Sequence, residues 1–547
     1  LPVFASLGLF CILFSLSFLN DPRGYLGTDT GGKVATLRVM AARHTLRPDI
    51  GYWAQRWDPE GHVHPLYYTA HPDGRWVNVT TLPALLAAYP LFRAWGYRGA
   101  LALPIAGTVG AALAARALLL RLGSGERRAW LGFAVVGLAS PLTVYALDFW
   151  EHSLGVALLG WATVALHDAW HGVRRWRAPV VAGLLIGTAA TMRTEALVYG
   201  AVATAVTGTA LLLGRRRARD AVGLGVLVGV MVGAVWLANA GLERWLVGTA
   251  LRSARASGTV TSALAGTSDG PVPSRLRESV VTFTGLVPST DDPGIAAGLA
   301  AAALLVAFAH VVRSRGDRTM ALAWAAGVTV VFGLRARDGW GFVPGLLTTT
   351  PLAAVALVHG WKTSTSRFLL AIGLGALPLV WLLQFRGGAA PQWGGRYILP
   401  SGLLLATVGV CALPGLRRAG VSAFLVLSVC VTAGGVGWLS VRSHGVARAF
   451  ETFAGAPEPV LVSRVAHLAR EGGWFYGEKR WLTAVGQHDL QRAVAVVERA
   501  GFSSFGLVEE HSRDSVPPRS LGSFSRTSVR RVSFLGVPLD VATYERS

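Results

Sequence analysis

The chain opens on an uninterrupted apolar run, LPVFASLGLFCILFSLSFL at 1–19, and the same theme returns along most of its length. A helix needs about 20 apolar residues to cross the roughly 30 Å hydrocarbon core of a bilayer. The pattern predicts thirteen transmembrane helices, at about 1–19, 99–121, 128–147, 153–171, 178–192, 196–213, 221–239, 293–311, 319–335, 344–360, 367–384, 398–414 and 420–440. The first run is read as a span rather than a cleaved signal, because it lacks a basic leading segment and a small-residue exit. TLPALLAAYPLFRAWG at 81–96 is apolar but broken by Pro83 and Pro90. It suits a helix lying in the membrane interface.

The loops test this reading. With the N-terminus in the cytoplasm, the six cytoplasmic loops are RLGSGERR, HGVRRWR, GRRRARD, RSRGDR, KTSTSR and LRRAG. Together with Arg116 they carry 18 Arg or Lys, against five in the short outer loops DFWEHS, MRTE, RARDGWG and QFRGGAAPQWGGR. Basic residues concentrate on the cytoplasmic side of membrane proteins, so the alternation predicts a multi-pass protein of the cell membrane with its C-terminus outside. Three longer segments then face the outside: 20–98, 240–292 and the tail 441–547. In the tail, PVLVSR, FSSFGLVEE and VRRVSFLGVPLDVATYE alternate as strands. VAHLAREGG and HDLQRAVAVVERAG have helical periodicity, and WFYGEKRWLTAV reads as a strand or hairpin. The expected fold is mainly α: a transmembrane domain over 1–440, followed by a small extracytoplasmic α/β domain over 441–547.

Composition agrees. Only 15% of the 547 residues are charged, where soluble proteins carry about 25%. The net charge of +21 raises the question of nucleic acid. Its arginines are dispersed between apolar spans with no binding motif, which argues against that class. Cys11, Cys411 and Cys430 all fall in apolar runs without metal or disulfide spacing. NVT at 78–80 matches a three-residue glycosylation sequon, and HVH at 62–64 with His71 is read as structural or substrate-facing rather than as a metal site.

Charged and polar residues gather at the outer ends of the spans. Asp29 and Lys33 stand in GTDTGGK after the first span. Asp148, Glu151 and His152 stand in DFWEHS, and Arg193 and Glu195 in MRTE. Arg335, Arg337 and Asp338 follow the ninth span, and Arg396 and Tyr397 stand in WGGRYILP. Acidic residues are costly inside a bilayer, and their recurrence on one side predicts a polar chamber at the outer interface. Sugar transfer from a polyprenyl phosphate fits such a chamber. The acceptor hydroxyl needs a general base, which Asp29 supplies. The anionic leaving group needs arginine, lysine or a metal ion, a task for Lys33, Arg193 and Arg396. Asp148 and Glu151 either hold a divalent cation such as magnesium or manganese, or position sugar and acceptor.

In architecture the chain resembles the GT-C superfamily of membrane glycosyltransferases. That group includes protein O-mannosyltransferases, lipid A aminoarabinose transferases and oligosaccharyltransferase catalytic subunits. The resemblance rests on a long outer loop with Asp29 after span one, an interfacial helix, a second acidic site in DFWEHS, about thirteen spans, RYILP at a late span entrance and the outer tail. Many members show an adjacent acidic pair in the first loop; here Asp29 is single, with Asp58 and Glu60 much further on. The tail has no WWD-type motif, unlike oligosaccharyltransferases. The resemblance implies an inverting transfer with Asp29 as base, from a polyprenyl-phosphate sugar to an extracytoplasmic glycan, lipid or protein. The competing classes are a transporter or flippase of lipid-linked saccharides, which would place ionisable groups at mid-membrane, and a non-catalytic membrane assembly protein. A common cavity for Asp29, Asp148 and Glu151 discriminates between them.

Overall fold

The computed structural model describes residues 2–78, 81–173, 176–214, 218–251, 271–286, 292–314, 343–383, 392–512 and 516–547. Its helices in chain order are α1 (Pro2–Leu16), α2 (Thr28–Ala42), α3 (Leu82–Ala100), α4 (Ala102–Arg121), α5 (Glu126–Leu138), α6 (Pro141–Ala146), α7 (His152–Trp170), α8 (Arg177–Met192), α9 (Glu195–Leu213) and α10 (Ala218–Val247). There follow α11 (Pro271–Thr284), α12 (Asp292–Ser314), α13 (Leu346–Thr349), α14 (Leu352–His359), α15 (Ser364–Leu383), α16 (Leu399–Ala412), α17 (Arg418–Ala454), α18 (Leu468–Glu471) and α19 (Gln487–Arg499).

Eight stretches of described helix are long and apolar enough to cross a membrane: Pro2–Leu19, Ala102–Arg121, Glu195–Leu213, Ala218–Val247, Asp292–Val312, Ser364–Leu383, Arg396–Gly415 and Arg418–Ala454. Four other predicted spans are helical but shorter, broken or less apolar. The run 128–147 divides into α5 and α6 because Pro141 has no N–H to continue the helix; Ser140 Oγ caps the new start at Leu142 N, 3.2 Å away. The run 344–360 divides into α13 and α14 at Pro351. Histidines and an aspartate lower the hydropathy of α7, and α8 has only 16 residues. The ninth predicted span, 319–335, lies outside the described residues, as do Arg335, Arg337 and Asp338. Eight helices of crossing length are therefore established among the described residues. The expected interfacial segment is helical as α3, kinked at Trp95–Gly96.

In the bundle, α4 packs between α5 and α7, α7 continues against α8, α8 against α10, and α15 against α9 and α16. A second core lies outside this bundle. Ala35, Ile50, Tyr52, Val63, Leu66 and Trp76 from the first outer loop bury their side chains with residues of α17 and the tail. The tail folds as a six-stranded mixed sheet in the order β2-β1-β3-β6-β5-β4. Its strands are β1 (Val460–Ser463), β2 (Arg480–Thr483), β3 (Ser504–Glu510), β4 (Ser520–Leu521), β5 (Phe524–Phe534) and β6 (Val537–Arg546). β1 pairs in parallel with β2 and β3, and the remaining pairings are antiparallel. The last span does not stop near residue 440: α17 runs on to Ala454 and delivers the chain directly to the sheet.

Candidate functional site

Helix α2 begins inside GTDTGGK. Two glycines within the first five residues of a helix cost roughly 1 kcal/mol each in helix propensity, so contacts from outside the helix must hold this start. One is Asp148, in the turn between α6 and α7. Its carboxylate accepts hydrogen bonds from Thr30 Oγ1 at 2.5 Å, Tyr97 OH at 2.8 Å and Leu26 N at 3.2 Å. Burial raises its pKa, opposed by those donors. Another is Glu151, one turn further along. Lys33 Nζ lies 2.5 Å from Glu151 Oε2, and Arg193 Nη1 lies 3.3 Å from Oε1. Burial pushes Glu151 up, but the two cations outweigh it and hold its pKa below the usual carboxylate value. Arg193 also reaches Glu195 at 2.8 Å. The Lys33 and Glu151 side chains are 1% and 4% exposed, so this network is internal.

Asp29 is placed differently. It lies in the first turn of α2, where the helix dipole favours a negative charge, and its side chain is 28% exposed. Two arginines from distant parts of the chain face it. Arg396 Nη1 is 3.9 Å from Oδ2, and Arg470 Nη1 is 3.1 Å from Oδ1. Arg396 is presented by a turn in which Gly394 and Gly395 take φ of +69° and +66°, a conformation that other residues rarely adopt. Its guanidinium lies over the rings of Tyr397, at 4.6 Å, and Trp150, at 5.5 Å. Arg193 lies over Tyr397 at 4.9 Å. The four described site segments named from sequence thus converge: Thr30 and Lys33, which flank and follow Asp29 on α2, bond the two acids of DFWEHS, Arg193 of MRTE joins Glu151, and Arg396 reaches Asp29 itself.

His152 stacks on Trp150 at 4.8 Å and tilts against Tyr145 at 5.1 Å. Both its ring nitrogens, Tyr145 OH, Trp150 Nε1, Glu195 Oε2 and Arg396 Nε are buried without a hydrogen-bond partner among the described residues. Buried polar atoms are rarely left so. Here they cluster on aromatic rings beside the Asp29–Arg396 pair, where a polar ligand can engage them.

Sequence reasoning did not find Arg470. It lies in α18 of the tail and is 1% exposed. Its Nε donates to Asn78 Oδ1 at 2.9 Å, and its guanidinium lies 5.1 Å from the Tyr67 ring centroid. The usable signal was a pair of glycine doublets, GTDTGGK and AREGG. A Cβ on Gly31 would lie 1.9 Å from the Arg470 carbonyl oxygen, and one on Gly473 would lie 1.8 Å from that of Gly31. The doublets are the contact surface between α2 and the tail. Asn78 is not a free sequon: its amide donates to Tyr67 O and Thr69 Oγ1, both at 2.9 Å, in the interior. His64 stacks on Trp76 at 5.1 Å and His71 on the same ring at 3.7 Å, while His62 is exposed and pairs with Glu60 at 2.8 Å. Burial lowers the pKa of His64 to about 4. Among the described residues no group of three or more His, Cys, Asp or Glu is gathered to hold a metal ion.

No protein-family model matches the sequence, and no curated protein sequence matches it significantly. Among solved structures, the archaeal oligosaccharyltransferase AglB from Archaeoglobus fulgidus, in complex with an inhibitory peptide and a dolichol-phosphate, superposes with a TM-score of 0.50 at 11% identity. The match covers 92% of this chain and 69% of that one. At this identity the likeness is one of fold: the chain shares the fold of that oligosaccharyltransferase. ArnT from Cupriavidus metallidurans bound to undecaprenyl phosphate aligns over 99% of this chain and 97% of its own, at 13% identity and a TM-score of 0.40, too low to add weight. The A. fulgidus oligosaccharyltransferase in complex with Zn and sulfate aligns over 91% of this chain and 67% of its own, at 13% identity and a TM-score of 0.48, which again adds none. The fold brings the first outer loop, the DFWEHS turn and the tail together, and Asp29, Arg396 and Arg470 meet there.

Proposed function

We propose that this protein is an integral-membrane glycosyltransferase that moves a sugar from a polyprenyl-phosphate donor to an extracytoplasmic acceptor with inversion. The observation that carries this reading is the contrast among the three acids. Asp148 and Glu151 are buried and engaged by protein donors, whereas Asp29 is partly exposed and faces two arginines. In this reading the Asp29 carboxylate takes the proton from the acceptor hydroxyl as its oxygen attacks the anomeric carbon. The carbon–phosphate-oxygen bond breaks on the opposite face, and the phosphate leaves with the bonding pair. Arg396, with a buried Nε free to donate, neutralises the departing phosphate. Arg193 adds positive charge from behind Tyr397. The Trp150, Tyr145 and His152 rings pack against one another as a buried aromatic wall behind Arg396, with polar edges that have no protein partner among the described residues. Asp148 and Lys33–Glu151 fix the start of α2 and thereby the aim of Asp29.

A divalent cation is not needed in this scheme, and the donor set does not favour one. The carboxylates of Asp148 and Glu151 are already occupied, and a cation at Asp29 would face the like charges of Arg396 and Arg470. The N-terminus is assigned to the cytoplasm and the tail to the outside of the cell membrane by the loop charges.

The test is sugar transfer in membranes carrying the wild-type chain or Asp29→Asn, with a panel of radiolabelled polyprenyl-phosphate sugars. Loss of a positioned base lowers rates about 10²–10⁴-fold. The expected result is transfer from one donor by the wild type and a loss of that size in a correctly inserted variant. An Asn variant as active as the wild type would remove Asp29 from the mechanism. No transfer by the wild type from any donor would overturn the reading as a whole.

A further inference from the structure

We propose that Arg470 of the tail is a positioning residue for Asp29: it holds the carboxylate ionised and aimed, so the tail is part of the reacting site rather than an accessory domain. This rests on the reading of Asp29 as base given above. The geometry is specific. Arg470 is almost wholly buried, and its two ends do different work. Nε is fixed by Asn78 Oδ1 at 2.9 Å, which leaves Nη1 3.1 Å from Asp29 Oδ1, an ion-pair contact whose angle falls short of a hydrogen bond. The backbone beneath it is seated directly on α2, with the Arg470 carbonyl where a Gly31 side chain would otherwise stand. The tail itself is anchored close by: Arg442 of α17 pairs with Glu471 and donates from Nε to the Leu26 carbonyl at 2.9 Å. A residue that served only to dock the tail would not need to end on Asp29, the partly exposed acid among those described at the site.

The charged groups around Asp29 divide cleanly. Lys33, on the same helix, is committed to Glu151, and Arg193 to Glu151 and Glu195. Asp148 is turned to Thr30 and Tyr97. Arg442 and Glu471 neutralise each other. Among the described residues, Arg396 at 3.9 Å and Arg470 at 3.1 Å pair with Asp29, with Arg470 the nearer and the more deeply buried. An adjacent arginine lowers an aspartate pKa by about 1–3 units, so removal of Arg470 is expected to raise that of Asp29 by about one unit or more.

The experiment follows the protonation of Asp29 without needing a substrate. Purified full-length protein in detergent is treated with a water-soluble carbodiimide and glycine ethyl ester across a pH series, and the label on the Asp29 peptide is quantified by mass spectrometry. Wild type is compared with Arg470→Met, which keeps the volume, and with Asn78→Ala, which keeps the arginine but releases its Nε. The expected result is a labelling midpoint about one unit or more higher in Arg470→Met, and a smaller rise in Asn78→Ala. If Arg470→Met does not fold, Asn78→Ala decides. An unchanged midpoint in a folded variant of either kind overturns the proposal. In the transfer assay the acid limb of the pH–rate profile should move up by the same amount, which a purely structural residue would not cause. Absence of transfer by the wild type would overturn the function but leave the labelling comparison to decide the hold of Arg470 on Asp29.

Discussion

At the level of single residues, the role of each charge depends on which oxygen meets which donor. Lys33, expected to meet a phosphate, is enclosed against Glu151. That pair makes a prediction. Glu151→Gln keeps the shape but leaves Lys33 buried without its acid, and takes one of the two acids from Arg193. Breaking a buried pair from one side costs about 3–5 kcal/mol, because the remaining charge stays desolvated. Thermal unfolding of the detergent-solubilised variant should show a loss of that order, and Lys33→Met combined with Glu151→Leu should recover part of it. A single variant as stable as wild type would mean that water or lipid headgroups already solvate Lys33, returning it to the ligand-binding set.

At the level of elements, hydrophobic periodicity recovered the long helices and the outer strands of the tail, where the alternation is strongest. It did less well where tertiary contacts decide the structure. VAHLAREGG, read as a helix, yields only the four-residue α18, because its glycines serve close approach to α2 rather than helix continuation. WFYGEKRWLTAV, read as a strand or hairpin, gives the single short strand β2. Nor does periodicity reveal what fastens the sheet. Glu458, just before β1, receives a two-pronged bond from Arg530 of β5, at 2.5 and 2.8 Å, and another from Thr543 of β6 at 2.6 Å. Burial raises its pKa, but these donors overcome that and bring it down to about 2 from 4.5. A folded-state pKa below the unfolded one stabilises the fold above the unfolded value and is lost as pH falls through the folded one. The tie is therefore complete above about pH 4.5 and disappears towards about pH 2. Glu458→Gln should cost about 1.5–3 kcal/mol at pH 7. The gap to wild type, read by denaturant unfolding followed through tail fluorescence, should close as the pH falls across that window. A gap that stays constant would show that the carboxylate charge contributes nothing.

At the level of the whole molecule, the sequence separates a first outer loop from a tail more than 340 residues later, and nothing in either composition links them. The structure joins them in one core. β2 would be an exposed sheet edge, which proteins generally cover; here the loop covers it. Thr483 N donates to Val63 O at 3.0 Å, and Trp53 Nε1 donates to Trp481 O at 3.0 Å. The Trp481 ring packs on Phe453 at 5.4 Å and Phe450 at 6.1 Å, both on the extension of α17. Loop, tail and last helix should therefore unfold as one unit, and that unit carries Asp29's partner Arg470. Trp481→Ala removes the shared ring at an expected cost of about 3–5 kcal/mol. Limited proteolysis of the purified variant should then release peptides from 43–76 and from 455–547 at the same rate, because opening either exposes the other. Cleavage of the tail alone, with the loop still protected, would show two independent modules and would leave the site at Asp29 able to persist without its tail.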